Sequence, residues 1–396
     1  MIDRRMLPLM FAVFINIAGF SLILPLLPFY GPLFGAGPFE VALLFAAYSF
    51  GNVFGEIFWG RQSDKWGRRS VLGWTTMAAA VTYVAFAFAP SLWLAVGVRV
   101  VNGFFGGTLS VAQGFIADAS PPEKRAKAMG LFGAAFSLGF AFGPVIGGLF
   151  AGEGTALADF RTPILIAAGF AAITSIWSFL VLRDINPPKG KAAPLPRYGE
   201  AFAYVRHNPM LMRLFVISFF GIAAFASMEA VYGLWSEFNF GWSARDLGIA
   251  FLAIGIGGLV VQLFLLHPLV VRFGEGWVIT GGLAVLAASM LFQPVLRDPW
   301  AAAALMGMLM VGHSLAFPTA GALTSRTAPV ESQGSVMGLM MASNAFSRIV
   351  APPVFGLLYE YAGHDTPWFA GAVMIALVVP VALGVVRLTR RTAGGP

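Results

Sequence analysis

Long apolar runs alternate with short polar breaks along the whole of this sequence. The runs fall near residues 6–30, 39–60, 71–89, 92–117, 127–150 and 162–182, then near 211–235, 245–267, 277–296, 299–323, 333–357 and 368–387. Each holds about 20 residues, enough for a helix rising ~1.5 Å per residue to cross a hydrocarbon core of ~30 Å. Lipid offers the backbone no hydrogen-bond partners, so each run is predicted to be helical. After the sixth run comes RDINPPKGKAAPLPRYGEAFAYVRHNPML, the one long polar stretch. It reads as a Pro/Gly/Lys linker followed by a short amphipathic helix. The pattern predicts an all-α integral membrane protein with twelve transmembrane helices. Its parts are a six-helix bundle over 1–183, a cytoplasmic linker over 184–210 and a second six-helix bundle over 211–396.

The two groups of runs echo each other at an offset of 208 residues. Pro121, Glu123, Met129, Gly130, Leu131, Ala134, Pro144, Gly148 and Leu149 recur as Pro329, Glu331, Met337, Gly338, Leu339, Ala342, Pro352, Gly356 and Leu357. A weaker echo sets Lys65-Trp66-Gly67 against Arg272-Phe273-Gly274. Two pseudo-symmetric six-helix repeats joined by a linker point to a rocking secondary transporter, with its site near the membrane midplane between the halves. A channel or a membrane enzyme has no need of the duplication.

Composition agrees with the pattern. Of the 396 residues 58% are hydrophobic and 11% charged, where a soluble domain carries about 25% charged residues. Mean hydropathy is +0.79. With no cysteine, disulfides, thiolate metal sites and Cys nucleophiles are excluded. The N-terminal MIDRRMLPLMFAVF lacks the small-x-small site of a cleaved signal, so the first span is expected to stay.

The net charge of +7 raises the question of nucleic acid, and the placement of the bases answers it. With the N-terminus inside, twenty of the Lys and Arg residues fall in cytoplasmic segments. Only Arg161, Arg245 and Arg297 fall in outer loops. That asymmetry puts both termini in the cytoplasm of a cell with this chain in its inner (plasma) membrane. The bases then face anionic membrane lipids, and no nucleic-acid partner is expected.

The segment GRQSDKWGRRSV, residues 60–71, joins spans 2 and 3 on the cytoplasmic side. Gly60 and Gly67 permit a tight turn, while Lys65, Arg68 and Arg69 hold the loop at the inner leaflet. The pattern Gly60-x-x-Ser63-Asp64-Lys65-x-Gly67-Arg68-Arg69 closely resembles the loop signature of the major facilitator superfamily. In that family the acid pairs with a neighbouring Arg and with the N-terminus of a helix of the other half, which makes Asp64 a latch of the transport cycle. Span 5 carries Gly139-x-x-x-Gly143-Pro144-x-x-Gly147-Gly148, similar to an element found mainly in the superfamily's antiporters. Its glycines allow close helix packing and its proline bends the helix. Span 4 adds Arg99-x-x-x-Gly103 and an Ala117-Asp118-x-x-Pro121-x-Glu123-x-Arg125 ending, as in the drug:proton antiporter group.

With Asn16-x-x-Gly19 and Pro25-x-x-Pro28 in span 1, the layout looks most like the tetracycline-efflux branch. The major facilitator fold is thereby implied. Three departures argue against tetracycline itself as substrate. Asn16 stands where that branch has Asp, Gly258 where it has His, and span 9 carries no charge.

Four charged residues remain within spans: Glu56, Arg99, Glu229 and Arg348. Each costs a few kcal/mol or more in lipid unless paired or wet, so each is a functional candidate. They sum to zero, which suggests pairing. The resemblance makes Arg99 part of proton handling; a buried structural ion pair is its alternative. Glu229 is the first candidate for the coupling proton, since a carboxylate out of water can change protonation with its surroundings. Arg348 can be its counter-charge or can clamp an anionic substrate. Glu56, four residues before Gly60, is expected to snorkel or to join the Asp64 network. His313 is a titratable candidate in span 10. Gln113, Gln262 and Asn344 are polar candidates for the cavity, beside a pocket of Phe and Met.

No nucleotide loop, metal cluster or nucleophile–base set is present, so no cofactor and no enzyme activity are expected. The leading reading is a monomeric, proton-driven antiporter that exports a small amphipathic molecule. Uptake or facilitated transport of a polar or anionic metabolite, lipid or lysolipid transport, and a non-transporting sensor or scaffold are the alternatives.

Overall fold

The computed structural model describes residues 6–119, 122–152, 156–184, 198–329 and 332–393, and every regular element among them is helical. Residues 185–197 of the predicted linker, the bases Arg4 and Arg5, and the repeat residues Pro121 and Glu331 lie outside the described residues. The chain forms two compact units. The first consists of Met1–Pro194 with Ser236–Leu252, the second of Leu195–Trp235 with Ala253–Pro396.

The first unit holds α1 (Met6–Ser21), α2 (Leu27–Tyr30), α3 (Pro38–Trp66), α4 (Arg68–Ala87), α5 (Leu92–Phe105), α6 (Leu109–Ala119), α7 (Pro122–Phe150) and α8 (Leu157–Leu180). The second holds α9 (Tyr198–His207), most of α10 (Pro209–Phe240) and the latter part of α11 (Ala244–Val260). A π turn (Val261–Leu265), α12 (Leu266–Phe273), α13 (Glu275–Phe292), α14 (Pro299–Thr327), α15 (Gln333–Leu357) and α16 (Thr366–Ala393) complete it. Among the described residues ten helices are long and apolar enough to cross a membrane, with Leu7–Ser21 a shorter apolar one. The other predicted span is α15, long enough but studded with Ser335, Asn344, Ser347 and Arg348.

Three spans read as continuous are interrupted. Span 1 leaves the helix after Ser21 and resumes at Leu27, because Pro25 has no N–H to continue the ladder. Span 4 breaks at Gly106-Gly107-Thr108. There Gly106 lies against the Tyr48 hydroxyl and Gly107 against the backbone of Gly55 and Glu56, an approach that a side chain would block. Span 8 widens into the π turn, a device common at functional sites.

The echo between Lys65-Trp66-Gly67 and Arg272-Phe273-Gly274 has a backbone cause. Gly67 (φ +91°) and Gly274 (φ +80°) take a conformation other residues rarely adopt, and each joins two helices with no intervening loop. The amphipathic helix expected after the linker is α9. It packs Ala201 and Val205 against Leu211, Phe215, Val336 and Met340.

Candidate functional site

In the second unit, three helices each contribute residues one turn apart: Phe225 and Glu229 from α10, His313 and Phe317 from α14, Asn344 and Arg348 from α15. Spacing of four residues puts each pair on one helix face. Arg348 Nη1 lies 3.6 Å from Glu229 Oε2, with 38% of the Arg side chain exposed and 8% of the Glu. The His313 ring contacts Phe225 at 4.3 Å and Phe317 at 4.4 Å between ring centres, both tilted, within electrostatic range of Arg348. His313 Nε2 and Asn344 Oδ1 are buried without a hydrogen-bond partner. The structure thus gathers four sequence candidates, Glu229, Arg348, His313 and Asn344, around one ion pair. Gln262 falls in the π turn.

The first unit treats its charges differently. Arg99 is 2% exposed and, among the described residues, makes no ion pair. Its guanidinium lies 4.8 Å from the Tyr48 ring centre and 5.9 Å from that of Phe86, and its Nε donates to the Leu44 carbonyl at 3.3 Å. Aromatic faces and a backbone carbonyl, rather than the carboxylate expected of a structural ion pair, meet this charge.

Glu56 is bonded to α6 rather than to the Asp64 network, and α3 continues ten residues beyond it to Trp66. Its Oε2 accepts the Ser110 backbone N–H at 2.8 Å, and the Ser110 hydroxyl donates to the Glu56 carbonyl at 3.1 Å. The carboxylate therefore caps α6 just after the break in span 4, where a helix start favours negative charge. Beside it Asn16 Nδ2 donates to Thr108 Oγ1 at 2.8 Å. The pocket there is lined by Ala12, Val13, Asn16, Ile17, Thr108 and Leu109 among others. Gln113 sits half-buried on α6, one residue before Gly114, whose open face meets the Arg68 guanidinium.

Around the 60–71 loop, Arg68 is the hub. Its guanidinium reaches Asp64 Oδ1 at 2.5 Å and Asp118 Oδ2 at 3.1 Å, and its Nη1 also donates to Ser63 Oγ and to the Gly60 carbonyl. Arg69 N–H donates to Asp184 Oδ1 at 2.9 Å, so Asp184 caps α4 beside Gly67. Lys65 lies in the last turn of α3. The second unit repeats the arrangement with the signs exchanged, Glu275 on α13 pairing with Arg326 on α14.

The glycine–proline element of span 5 forms a seam. Gly139, Gly143 and Gly147 face the backbone of α1 and the turn after it, from Phe14 to Leu22, while Ser21 Oγ donates to the Gly139 carbonyl at 3.1 Å. Gly148 faces Ala244, Arg245 and Gly248, and the Pro144 carbonyl lies against Gly248. This contact draws the start of α11 into the first unit, so the unit boundary falls inside a helix rather than at a repeat border. α7 runs unbroken through Pro144.

Sequence reasoning missed Phe225 and Phe317, which 38 Phe residues conceal. It also missed Ser110, Asp184 and the Glu275–Arg326 pair. For that pair a signal existed: Arg326 stands 208 residues after Asp118, and Glu275 follows Gly274 as Arg68 follows Gly67.

A family profile described as the Major Facilitator Superfamily matches residues 9–265 and 230–396. The chain belongs to that superfamily. As a major facilitator it is a transporter and not an enzyme, a multi-pass membrane protein whose family needs no cofactor. It is 27% identical over 326 residues to the class C tetracycline resistance protein of Escherichia coli, covering 81% of each chain. It is 25% identical to the quinolone resistance protein NorA of Staphylococcus aureus (strain COL), covering 96% of each. Among solved structures, a bacterial homologue of the human lysosomal transporter Spinster, inward-facing and occupied, superposes with TM-score 0.80 at 13% identity, covering 96% of each chain. The human organic anion transporter MFSD10 (TETRAN) gives 0.71 at 20% identity, covering 96% of this chain and 100% of the other. These two likenesses establish the fold alone.

Proposed function

We propose that this major facilitator is a proton-coupled antiporter of the inner membrane that exports a small amphipathic compound, a drug or toxic metabolite, by alternating access. The observation that carries the reading is the Glu229–Arg348 pair. A carboxylate that loses its cation during a conformational cycle changes its preference for a proton, which is what coupling requires. The antiporter-like seam on α7 and relatives named for tetracycline, multidrug and quinolone resistance support the direction. The repeats over 1–183 and 211–396 act as the moving halves, both termini are cytoplasmic, and the Asp64–Arg68–Asp118 cluster serves as the latch. Arg99 and Glu56 shape the first unit, whereas His313 and Asn344 complete the polar wall of the second.

The test is transport in proteoliposomes under an imposed pH gradient, with cationic, neutral and anionic compounds compared. Gradient-driven accumulation of at least one, abolished by collapsing the gradient, is expected. Transport indifferent to the gradient would overturn the proposal. A second reading, uptake of an anionic metabolite, is favoured by the exposure of Arg348.

A further inference from the structure

The Glu229–Arg348 pair is asymmetric in a way that decides what can reach it. The carboxylate is 8% exposed and the guanidinium 38%. Their separation of 3.6 Å is an ion pair held beyond hydrogen-bond length. A guanidinium carries five N–H donors in one plane, a shape that fits a carboxylate through two parallel bonds. The accessible half of the pair is thus a donor fork with unused capacity, and the acid is the half that lies hidden. One turn away Asn344 Oδ1 is buried without a partner, as is His313 Nε2 on the adjoining helix.

We propose that this pair gives the protein a second transport mode, in which an amphipathic carboxylate on Arg348 and a proton on Glu229 are carried together in the same direction. The proposal rests on reading Glu229 as the coupling carboxylate. Empty, the pair is neutral. When an incoming carboxylate takes the guanidinium, Glu229 is left as an uncompensated buried charge, which is costly. Neutrality returns when a proton from water forms an O–H bond on Glu229; no bond of the substrate breaks. Anion and proton then each favour the binding of the other by the same factor. A cationic substrate does the reverse. It must take the carboxylate itself, so it competes with the proton and is exchanged against it. One pair therefore exports cations in exchange for protons and imports carboxylates with them, and substrate charge selects the mode. Among the described residues the charged group facing Glu229 is Arg348 from α15, with His313 from α14 near that Arg348 and Tyr232 three residues along α10 itself.

The experiment uses the full chain in detergent, weakly buffered near neutral pH, titrated with naphthoate, neutral naphthamide and naphthylmethylammonium. Protons are followed with an indicator dye and binding by calorimetry. Naphthoate should bring close to one proton onto the protein, naphthamide none, and the ammonium compound should release protons. Glu229→Gln should bind naphthoate about tenfold more tightly, with no proton uptake, because the rival for the guanidinium is gone. Arg348→Gln should not bind it. Should that variant fail to fold, the neutral double variant Glu229→Gln/Arg348→Gln carries the same expectation without a stranded charge.

Proton release by naphthoate, an affinity unchanged in Glu229→Gln, or uptake that disappears with His313→Gln instead would overturn the proposal. The exporter reading fails separately. If vesicles show no gradient-driven exchange of the ammonium while naphthoate still brings its proton, the exporter reading falls and this one stands. The opposite pair of results removes this one alone.

Discussion

Each unit of the molecule has a carboxylate well inside a span helix, Glu56 in the first and Glu229 in the second, and the two are satisfied in opposite ways. Glu56 receives the backbone N–H of Ser110 at 2.8 Å, part of a reciprocal contact that ties α3 to the start of α6. Glu229 faces a side-chain cation on another helix, 3.6 Å away and itself 38% exposed. A backbone donor is fixed once the helix forms. A guanidinium on a long flexible stem can leave. The first arrangement suits a carboxylate that holds a broken helix in place, the second one whose partner changes during a cycle. In both helices the sequence shows the same thing, a Glu with mostly apolar neighbours.

The largest expected effect lies at Glu229. Glu229→Gln should reduce gradient-driven accumulation to background while counterflow in the same vesicles survives in part, because the neutral amide mimics the protonated acid. Normal uphill transport by this variant would erase the contrast. Glu56→Gln should keep both fold and coupling, since an amide oxygen can still accept from Ser110. Glu56→Ala should lower stability by about 1–3 kcal/mol, the cost of leaving a buried donor unpaired, seen as a lower melting temperature in detergent. If Glu56→Gln uncouples transport as Glu229→Gln does, the two acids share one role and the distinction drawn from their partners is wrong.

Asp64→Asn should leave an inserted, folded protein with several-fold lower turnover and nearly unchanged substrate affinity, because a latch shapes the conformational cycle more than the binding pocket. Wild-type turnover would remove the latch from the scheme. The smallest effect is expected at Arg326, 62% exposed in its pair with Glu275. Arg326→Gln should cost no more than about 1 kcal/mol, as partly exposed ion pairs contribute little, measured by the same thermal assay.

Much of the fold was legible because lipid imposes a blunt rule: about 20 apolar residues per crossing, with the backbone satisfied within the segment. The breaks were not legible. Gly106-Gly107 is a turn signal hidden inside an apolar run, and Tyr48, Gly55 and Glu56 of another helix come close to it, whereas the lone Gly97 sits inside α5 with open space around it. The pairing of Glu229 with Arg348 was anticipated for the same reason the spans were, since a lone charge in hydrocarbon is expensive. The ring contacts of His313 were not, because its partners are two of many Phe residues. The partner of Glu56 was not legible, because Ser110 meets it only through the packing of α6 against α3.

The exchanged signs of the two loop pairs bear on how the halves diverged. Arg68 faces Asp118, and at the matching places Glu275 faces Arg326. If both halves descend from one duplicated ancestor, one of them has passed from base–acid to acid–base. A direct swap at either position sets like charges side by side until the other follows. Such an intermediate is survivable where water screens the repulsion and ruinous in hydrocarbon. An exchange of signs is easiest at a loop end, where water can screen a transient mismatch, and hardest for a pair such as Glu229 and Arg348 within the spans.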